Sequence, residues 1–361
     1  MADWSELQEE LLFLIAVRLF SVVELKRFRS ICKSWRSSVP GNYAHFPNSP
    51  LFYVNQLPEI SLSQWFSLVK IYLSRAAFFH VTLSSSPSQG WLIKSGADIN
   101  SGADINSGKL RLLEPLCRRP MTHSLTSVDL SGFTMSEIQE SFAIRKRGFI
   151  RVVLVKLKKG EAHHNRILGL SRFGEIKHWN RNKWRVLRKM ADHKFSDIIV
   201  HKGLMYALDT RGVVWWINSR LEICMYGPPV DDDITYSLPG DKSFVECCGE
   251  LYIVDRLCNR KAGVYIPNAE TVGFRVYKFD EELGQMMEVK SLGDKAFVLA
   301  TDTGFSVLAH EYYGCLQNSI YFKDGEKELN VFKLDNGIGS SITTMSQFSQ
   351  SCFQMFFPSF L

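Results

Sequence analysis

Apolar side chains recur at helical spacing near the start of the chain. Leu7, Leu11, Leu14, Ile15 and Leu19 fall on one stripe, with Glu9, Glu10 and Arg18 away from it. Ser5-Glu6-Leu7-Gln8 fits a capping box, in which the serine accepts from an orphan N–H and the glutamine reaches back. Ser21-Val22-Val23-Glu24 repeats the signature just after Leu19, so a second helix is expected at once, with Leu25, Phe28 and Ile31 as its apolar face. Ser30 is placed to cap a third short helix carrying Trp35, which Pro40-Gly41 stops. Three such short helices bury little by themselves, so the module is expected to dock on something.

Residues 42–85 are ambiguous, a helix over 63–74 being one reading. Ser84 to Gly90 is a loop by composition, and the hexapeptide Ser-Gly-Ala-Asp-Ile-Asn stands twice in tandem, at 95–100 and 101–106. That duplication belongs in a solvent loop, where closure entropy grows slowly with length. From about residue 150 the pattern changes to short strands separated by turn residues, among them 167–170, 197–200, 204–208, 213–217, 251–254, 274–279, 297–300, 320–322 and 331–334. Gly203-Leu-Met-Tyr206 returns as Gly249-Glu-Leu-Tyr252 and, degenerate, as Asn318-Ser-Ile-Tyr321. A strand–turn–strand unit of about 45 residues is the period of a propeller blade. A sandwich or an open barrel is the competing reading, while the lack of intervening helices argues against a parallel α/β sheet.

The chain has 361 residues, 45% apolar and 22% charged, a composition that folds. Its length fits two domains, or one small module beside a large all-β body. No run reaches the ~18 apolar residues of a membrane span and the acidic start is unlike a secretory signal, so a soluble intracellular protein is expected. Eight cysteines without a C-x-x-C pair, the only close pair being Cys247–Cys248, point to reduced thiols rather than a disulfide framework or zinc cluster. The net charge of +6 is unevenly spread: Arg145–Lys194 carries sixteen Lys/Arg against Glu161, Glu175 and Asp192, a local +13 that leaves −7 elsewhere. One reading is a nucleic-acid or nuclear-import patch. The plainer one is the solvated faces of strands, since in Arg151-Val-Val-Leu-Val-Lys-Leu-Lys-Lys159 the charges flank an apolar run.

Catalytic and metal motifs fail in turn. Gly102 to Lys109 has the wrong length for a phosphate loop and lacks the Ser/Thr after its lysine. His310-Glu311 lacks the second histidine of H-E-x-x-H, and no G-x-S-x-G or G-x-G-x-x-G occurs. His163-His164, Asp231-Asp232-Asp233 and Cys247-Cys248 read respectively as opposite faces of a strand, a solvated turn and a buried strand pair. Trp179, Trp184, Trp215, Trp216, Tyr206, Tyr252 and Phe279 are expected to fill the core between blades, with base stacking by Lys177–Arg185 the alternative. No cofactor, metal or catalytic residue is expected.

Against that background Trp4-Ser-Glu-Leu-Gln-Glu-Glu-Leu-Leu12, Ile15, Arg18-Leu19, Val23-Glu-Leu25 and Arg27-Phe-Arg-Ser-Ile-Cys-Lys-Ser-Trp-Arg36 together resemble an F-box. Gln89-Gly-Trp-Leu-Ile93, Leu112-Leu-Glu-Pro-Leu116, Asp197 to Asp209, Val245 to Arg256, Phe274 to Asp280, Ser291-Leu-Gly-Asp294 and Gly314 to Phe322 resemble, in order, the KIB-type β-propeller of plant F-box proteins of the SKIP type. The resemblance implies a mainly β chain: an F-box module at 1–42, a connecting segment and the start of the propeller at 43–85, and the propeller proper at 86–361. At ~45 residues per blade the length predicts six or seven blades. It also implies a substrate receptor of an SCF-type ubiquitin ligase, bound to a Skp-class adaptor and through it to cullin and RING subunits. Its propeller would hold an unidentified protein target, with no covalent chemistry on this chain and neither nucleic acid nor membrane as partner. Leu7, Gln8, Leu11, Leu12, Ile15, Leu19, Leu25, Phe28 and Trp35 are the residues expected to face the adaptor or support the module's core. Gln8 replaces the family's proline and is expected to close the capping box and lengthen the first helix. Nucleus and cytoplasm are the expected locations. The alternatives are a scaffold or nuclear regulatory protein with a degenerate F-box and a basic patch, and an enzyme of unknown chemistry.

Overall fold

A computed structural model describes residues 7–16, 28–38, 73–96, 111–121, 132–144, 148–155, 166–180, 183–187, 193–227, 238–259, 270–324, 328–334, 342–344 and 350–358. Beyond two short helices, α1 (Glu9–Ala16) and α2 (Lys33–Ser37), and the helical residues 28–30, the described chain is almost all strand. None of its helices is long and apolar enough to cross a membrane. Most of the duplicated hexapeptide, most of the 63–74 helix reading, His163-His164 and Asp231–Asp233 lie outside the described residues. The last two residues of that helix reading, Leu73 and Ser74, open a strand instead, and the first two of the duplication, Ser95 and Gly96, end a strand paired with Ala77 and Ala76 and do not lie in a solvent loop.

The strands fall into five successive units. The first contains β1 (Leu73–Leu83), β2 (Ser86–Gly96), β3 (Arg111–Leu113) and β4 (Phe133–Ile144), in the spatial order β3-β2-β1-β4. Two four-stranded meanders follow, β5 (Phe149–Val155) to β8 (Lys183–Val186) and β9 (Phe195–His201) to β12 (Ile223–Met225). Within the second meander, β10 is Leu204–Asp209 and β11 Val214–Ile217. The fourth unit holds β13 (Lys242–Cys247), β14 (Glu250–Cys258), β15 (Thr271–Asp280) and β16 (Gln285–Glu288). The last holds β17 (Lys295–Ala300), β18 (Thr303–Leu308), β19 (Ser319–Asp324), β20 (Glu328–Lys333) and β21 (Ile342–Thr344).

A separate apolar core lies between each unit and the next. Phe142, Val152 and Ile167 join the first and second units; Leu168, Phe195 and Ile198 the second and third; Tyr206, Phe244 and Phe279 the third and fourth; Val254, Phe297 and Ile320 the fourth and fifth. A fifth core, with Phe78, Leu92, Val298 and Tyr321, joins the last unit to the first. Sheets that bury both faces against neighbours around a closed ring make a propeller. Both faces of β1 are buried for this reason, at nearly every position along it. The length predicts six or seven blades; the described residues form five. The first unit alone runs from 73 to 144, and the sequence between its second and third strands carries most of the duplicated hexapeptide.

The repeated tetrapeptide has a local cause. Lys202-Gly203 (φ 48 and 79) and Cys248-Gly249 (φ 54 and 75) are the two-residue turns joining the first two strands of successive blades. Left-handed backbone at both positions matches the twist of a tight hairpin, and glycine takes it without strain. Cys247 is accordingly buried at the end of β13, while Cys248 is exposed in the turn, so the pair is not a buried strand pair. Trp215 is buried but Trp216 is exposed, because adjacent strand residues point to opposite faces.

The ring is closed by contacts between its first and last units. Thr301 N–H donates to the Leu116 carbonyl at 3.0 Å, Tyr313 N–H to that of Gly90 at 3.0 Å, and Lys323 pairs with Glu114 at 3.0 Å. The C-terminal 3-10 helix Gln350–Phe356 seals the same seam: Phe353 and Met355 are fully buried, and the Tyr321 hydroxyl donates to the Cys352 carbonyl at 2.9 Å. Gly314, at φ 66, lets the preceding turn approach the Ser351 carbonyl more closely than any Cβ allows. Gly314→Ala is therefore expected to displace this helix and destabilise the chain by roughly 2–4 kcal/mol, from overpacking plus left-handed strain. Thermal unfolding, with limited proteolysis reporting release of the C-terminal segment, checks it.

Candidate docking site

In the helical module α1 begins at Glu9, and Gln8 is its N-cap: the Gln8 carbonyl accepts from the N–H groups of Leu11 (3.0 Å) and Leu12 (3.1 Å). The expected longer helix is not formed, since Gln8 stands before the first turn and not at its third position. Its partner in the expected box, Ser5, lies outside the described residues, as do Leu19, Leu25 and the second capping signature. α2 is capped by Cys32 in extended backbone (φ −156) and not by Ser30, because the chain leaves residues 28–30 only at Ile31 and re-enters a helix at Lys33.

Two neighbouring ridges of α1 have opposite fates. Leu12 and Ala16, four residues apart, are fully buried. Phe28 is buried too and lies against Trp35, ring centroids 4.4 Å apart. α1 rests on α2, and Arg36 Nε reaches back to the Arg29 carbonyl at 3.2 Å. On the adjacent ridge Leu11 and Ile15 are 45% and 36% exposed, with Gln8 exposed one turn before Leu11 and Leu7 half-buried. Ile31 is exposed as well. The predicted residues thus divide: Leu12 and Phe28 are internal core with Trp35 half-buried against Phe28, whereas Leu11 and Ile15 display an apolar stripe.

The second feature is the channel of the propeller, around which β4, β5, β9, β13 and β18 stand side by side. At the end where the chain enters β5, β9 and β13 it widens into a cavity of about 430 Å³, lined by residues of all five units. Asp302, in the β17–β18 turn, is held by Lys94 Nζ at 2.7 Å, Arg118 Nε at 2.6 Å and Ser141 Oγ at 2.8 Å. Burial alone would raise this carboxyl, but Lys94 and Arg118 outweigh it and hold it well below the usual carboxylate range. Burial in turn lowers the fully buried Lys94 ammonium, against the pull of Asp302.

Arg151 forms a bidentate pair with Asp197, Nε–Oδ1 2.6 Å and Nη2–Oδ2 2.9 Å. The charge pattern around 151–159 predicts Arg151 on a solvated strand face; it instead lines the channel, largely buried on an innermost strand. Base stacking has no support in the described part of the basic stretch, where Trp179 and Trp184 pack edge-on at 5.3 Å and Phe149 covers Trp184 at 4.6 Å.

Among the described residues no group of three His, Cys, Asp or Glu side chains is placed to hold a metal ion. Burial pushes the Cys315 thiol up to about 12 and raises those of Cys117, Cys247 and Cys352, so these four stay protonated and poorly nucleophilic at neutral pH.

Comparison with known proteins agrees with this architecture. The KIB1-4 beta-propeller family model matches residues 60–333. In Arabidopsis thaliana a protein named as a putative F-box protein is 54% identical over the whole of both chains, and one named as a probable F-box protein is 52% identical over the same extent. F-box protein SKIP23 of the same plant is 28% identical across 92% of this chain and 85% of its own length. With a closed ring of blades behind a small helical module, and relatives matched from end to end, the chain belongs to the F-box proteins that carry a KIB1-4 β-propeller.

Proposed function

We propose that this chain is the substrate-recognition subunit of an SCF-type ubiquitin ligase, acting in the nucleus or cytoplasm. The helical module binds a Skp-class adaptor, which joins it to the cullin and RING subunits, and the propeller holds the protein to be modified. The chain itself performs no bond chemistry in this scheme; it raises the target's effective concentration near the charged conjugating enzyme. The observation that carries the reading is the stripe of Leu11 and Ile15, left exposed beside a packed internal core in a chain whose relatives are named F-box proteins. Apolar residues presented at helical spacing on a small module are the chemistry of a helix-face interface.

The test is retention of a purified Skp-class adaptor by the immobilised full chain. Binding by the wild type, lost when a charge is placed at Leu11, supports the reading; failure of the wild type to retain the adaptor overturns it. Gln8→Pro belongs in the same experiment. Gln8 precedes the helix and its N–H enters no intrahelical bond, so proline removes nothing there. Adaptor affinity is expected to change by less than about threefold, and a large gain would mean that glutamine at this position impairs docking.

A further inference from the structure

The wall of the central cavity carries more hydrogen-bond donors than it uses. Five basic side chains line it, Arg118, Arg151, Arg172, Arg256 and Lys323, against three carboxylates, Asp197, Asp241 and Asp302. Each carboxylate is already engaged. Asp302 is held by Lys94, Arg118 and Ser141; Asp197 takes both prongs of Arg151 and the N–H groups of Ile198 and Phe244, each at 2.8 Å; Asp241 accepts from the Leu238 N–H at 2.6 Å. Three of the bases are committed as well. Arg118 also donates to Ser74 and to the Ser141 carbonyl, Arg256 binds Thr271 and Asp324, and Lys323 binds Glu114.

Two donors are left over. The Nη1 of Arg151 is buried without a partner, on a side chain only 10% exposed. Arg172 is exposed at the cavity's edge, beside Gly148, whose carbonyl accepts its backbone N–H at 2.9 Å; its guanidinium has no partner among the described residues. A buried guanidinium N–H with no acceptor is unfavourable, and an anion entering the cavity would relieve it. Saturated acceptors and spare donors select against a cation. A phosphoryl group, with three acceptor oxygens and close to two charges, can accept from the spare Nη1 of Arg151 and the unengaged guanidinium of Arg172 together, which suits it better than a single carboxylate. The cavity lies within the ~300–1,000 Å³ range of small-ligand sites.

We infer that this end of the propeller channel is an anion site that takes a phosphoryl group between Arg151 and Arg172. The group can arrive on a free small molecule or on a phosphorylated side chain of a bound protein, and the chemistry of recognition is the same.

Isothermal titration of the full chain with inorganic phosphate, pyrophosphate and an alanine-flanked phosphoserine pentapeptide, at constant ionic strength with chloride as blank, tests it. Saturable binding is expected, weakened at least about tenfold by Arg172→Gln, a substitution at an exposed, unpaired side chain that leaves the fold intact. Arg151→Lys, which keeps a charge opposite Asp197 but removes the fork, is expected to weaken it as much. Arg220→Gln, at an exposed arginine on another blade, is expected to change nothing. A phosphopeptide that binds at least tenfold tighter than phosphate, and competes with it, supports the site and assigns the group to a protein; equal or weaker peptide binding supports the site and assigns it to a free anion. No saturable binding of any phosphate probe above chloride, or equal binding by the wild type and both arginine variants, overturns the proposal.

Discussion

Asp302→Ala is expected to destabilise the propeller by roughly 3–5 kcal/mol, the cost of leaving a buried charge unpaired. The side chain is 6% exposed and stands between Lys94, which is fully buried, and Arg118, which is 8% exposed. Its removal leaves the buried Lys94 and Arg118 without their carboxylate partner and frees the Ser141 hydroxyl. It also cuts the bridge between the first and last blades, since Lys94 and Asp302 are 208 residues apart in the chain. Lys94→Met added to Asp302→Ala is expected to recover part of the loss by removing the stranded ammonium, so the two changes are not additive.

The pH dependence has a definite sign. The folded carboxyl lies below its unfolded value of about 4, so its contribution is complete above that value and is lost as pH falls below it. Denaturant unfolding at pH 7 and near pH 3 measures both effects. A loss under about 1 kcal/mol at pH 7 would show that the triad does not hold the ring closed.

How much of this was open to the sequence depends on the range of the interaction. The nine strand segments read from the sequence all coincide with observed strands, because alternation and turn residues are local. The Gly-x-x-Tyr units were legible because each hairpin turn needs a left-handed glycine and each following strand needs a ring facing the next blade; Tyr206 is buried for that purpose. Lys94 and Asp302 were not legible, since nothing local distinguishes a lysine at a sheet's outer surface from one at a blade junction.

Arg151 was misread for a related reason: charge beside an apolar run is the usual signature of a solvated strand. A signal was nonetheless present. Arg151 and Asp197 occupy the third positions of innermost strands in consecutive blades and lie 46 residues apart. Opposite charges at equivalent blade positions mark a pair across the channel wall, but only once blade boundaries are known. Blade number was out of reach of the period alone, because blade length varies with the connections. In the helical module periodicity identified the apolar positions without separating Leu11 from Leu12. Adjacent ridges of one helix share a stripe, and packing against α2 decides which is buried.

That separation carries the most informative prediction about function. Leu11→Asp is expected to reduce adaptor affinity by at least about 30-fold, the effect of removing a central apolar anchor and placing a charge in its pocket. The fold should be indifferent to it. Leu11 is nearly half exposed, and an acidic residue in the first turn of α1 complements the helix dipole, so unfolding should stay within about 0.5 kcal/mol of wild type. Leu12→Ala is expected to do the reverse. It removes a fully buried side chain and destabilises the helical module by roughly 2–5 kcal/mol, so adaptor capture falls because the module opens. Limited proteolysis of the N-terminal segment tells the two apart, with rapid cleavage for Leu12→Ala and wild-type resistance for Leu11→Asp. Ile15→Asp, one turn further along the same ridge, should lower adaptor affinity in the same way, while its charge in the last turn of α1 opposes the helix dipole and costs the module up to about 1 kcal/mol. If Leu11→Asp and Ile15→Asp both keep the adaptor, the exposed ridge is not the docking face, and the buried ridge matters only for holding the module together.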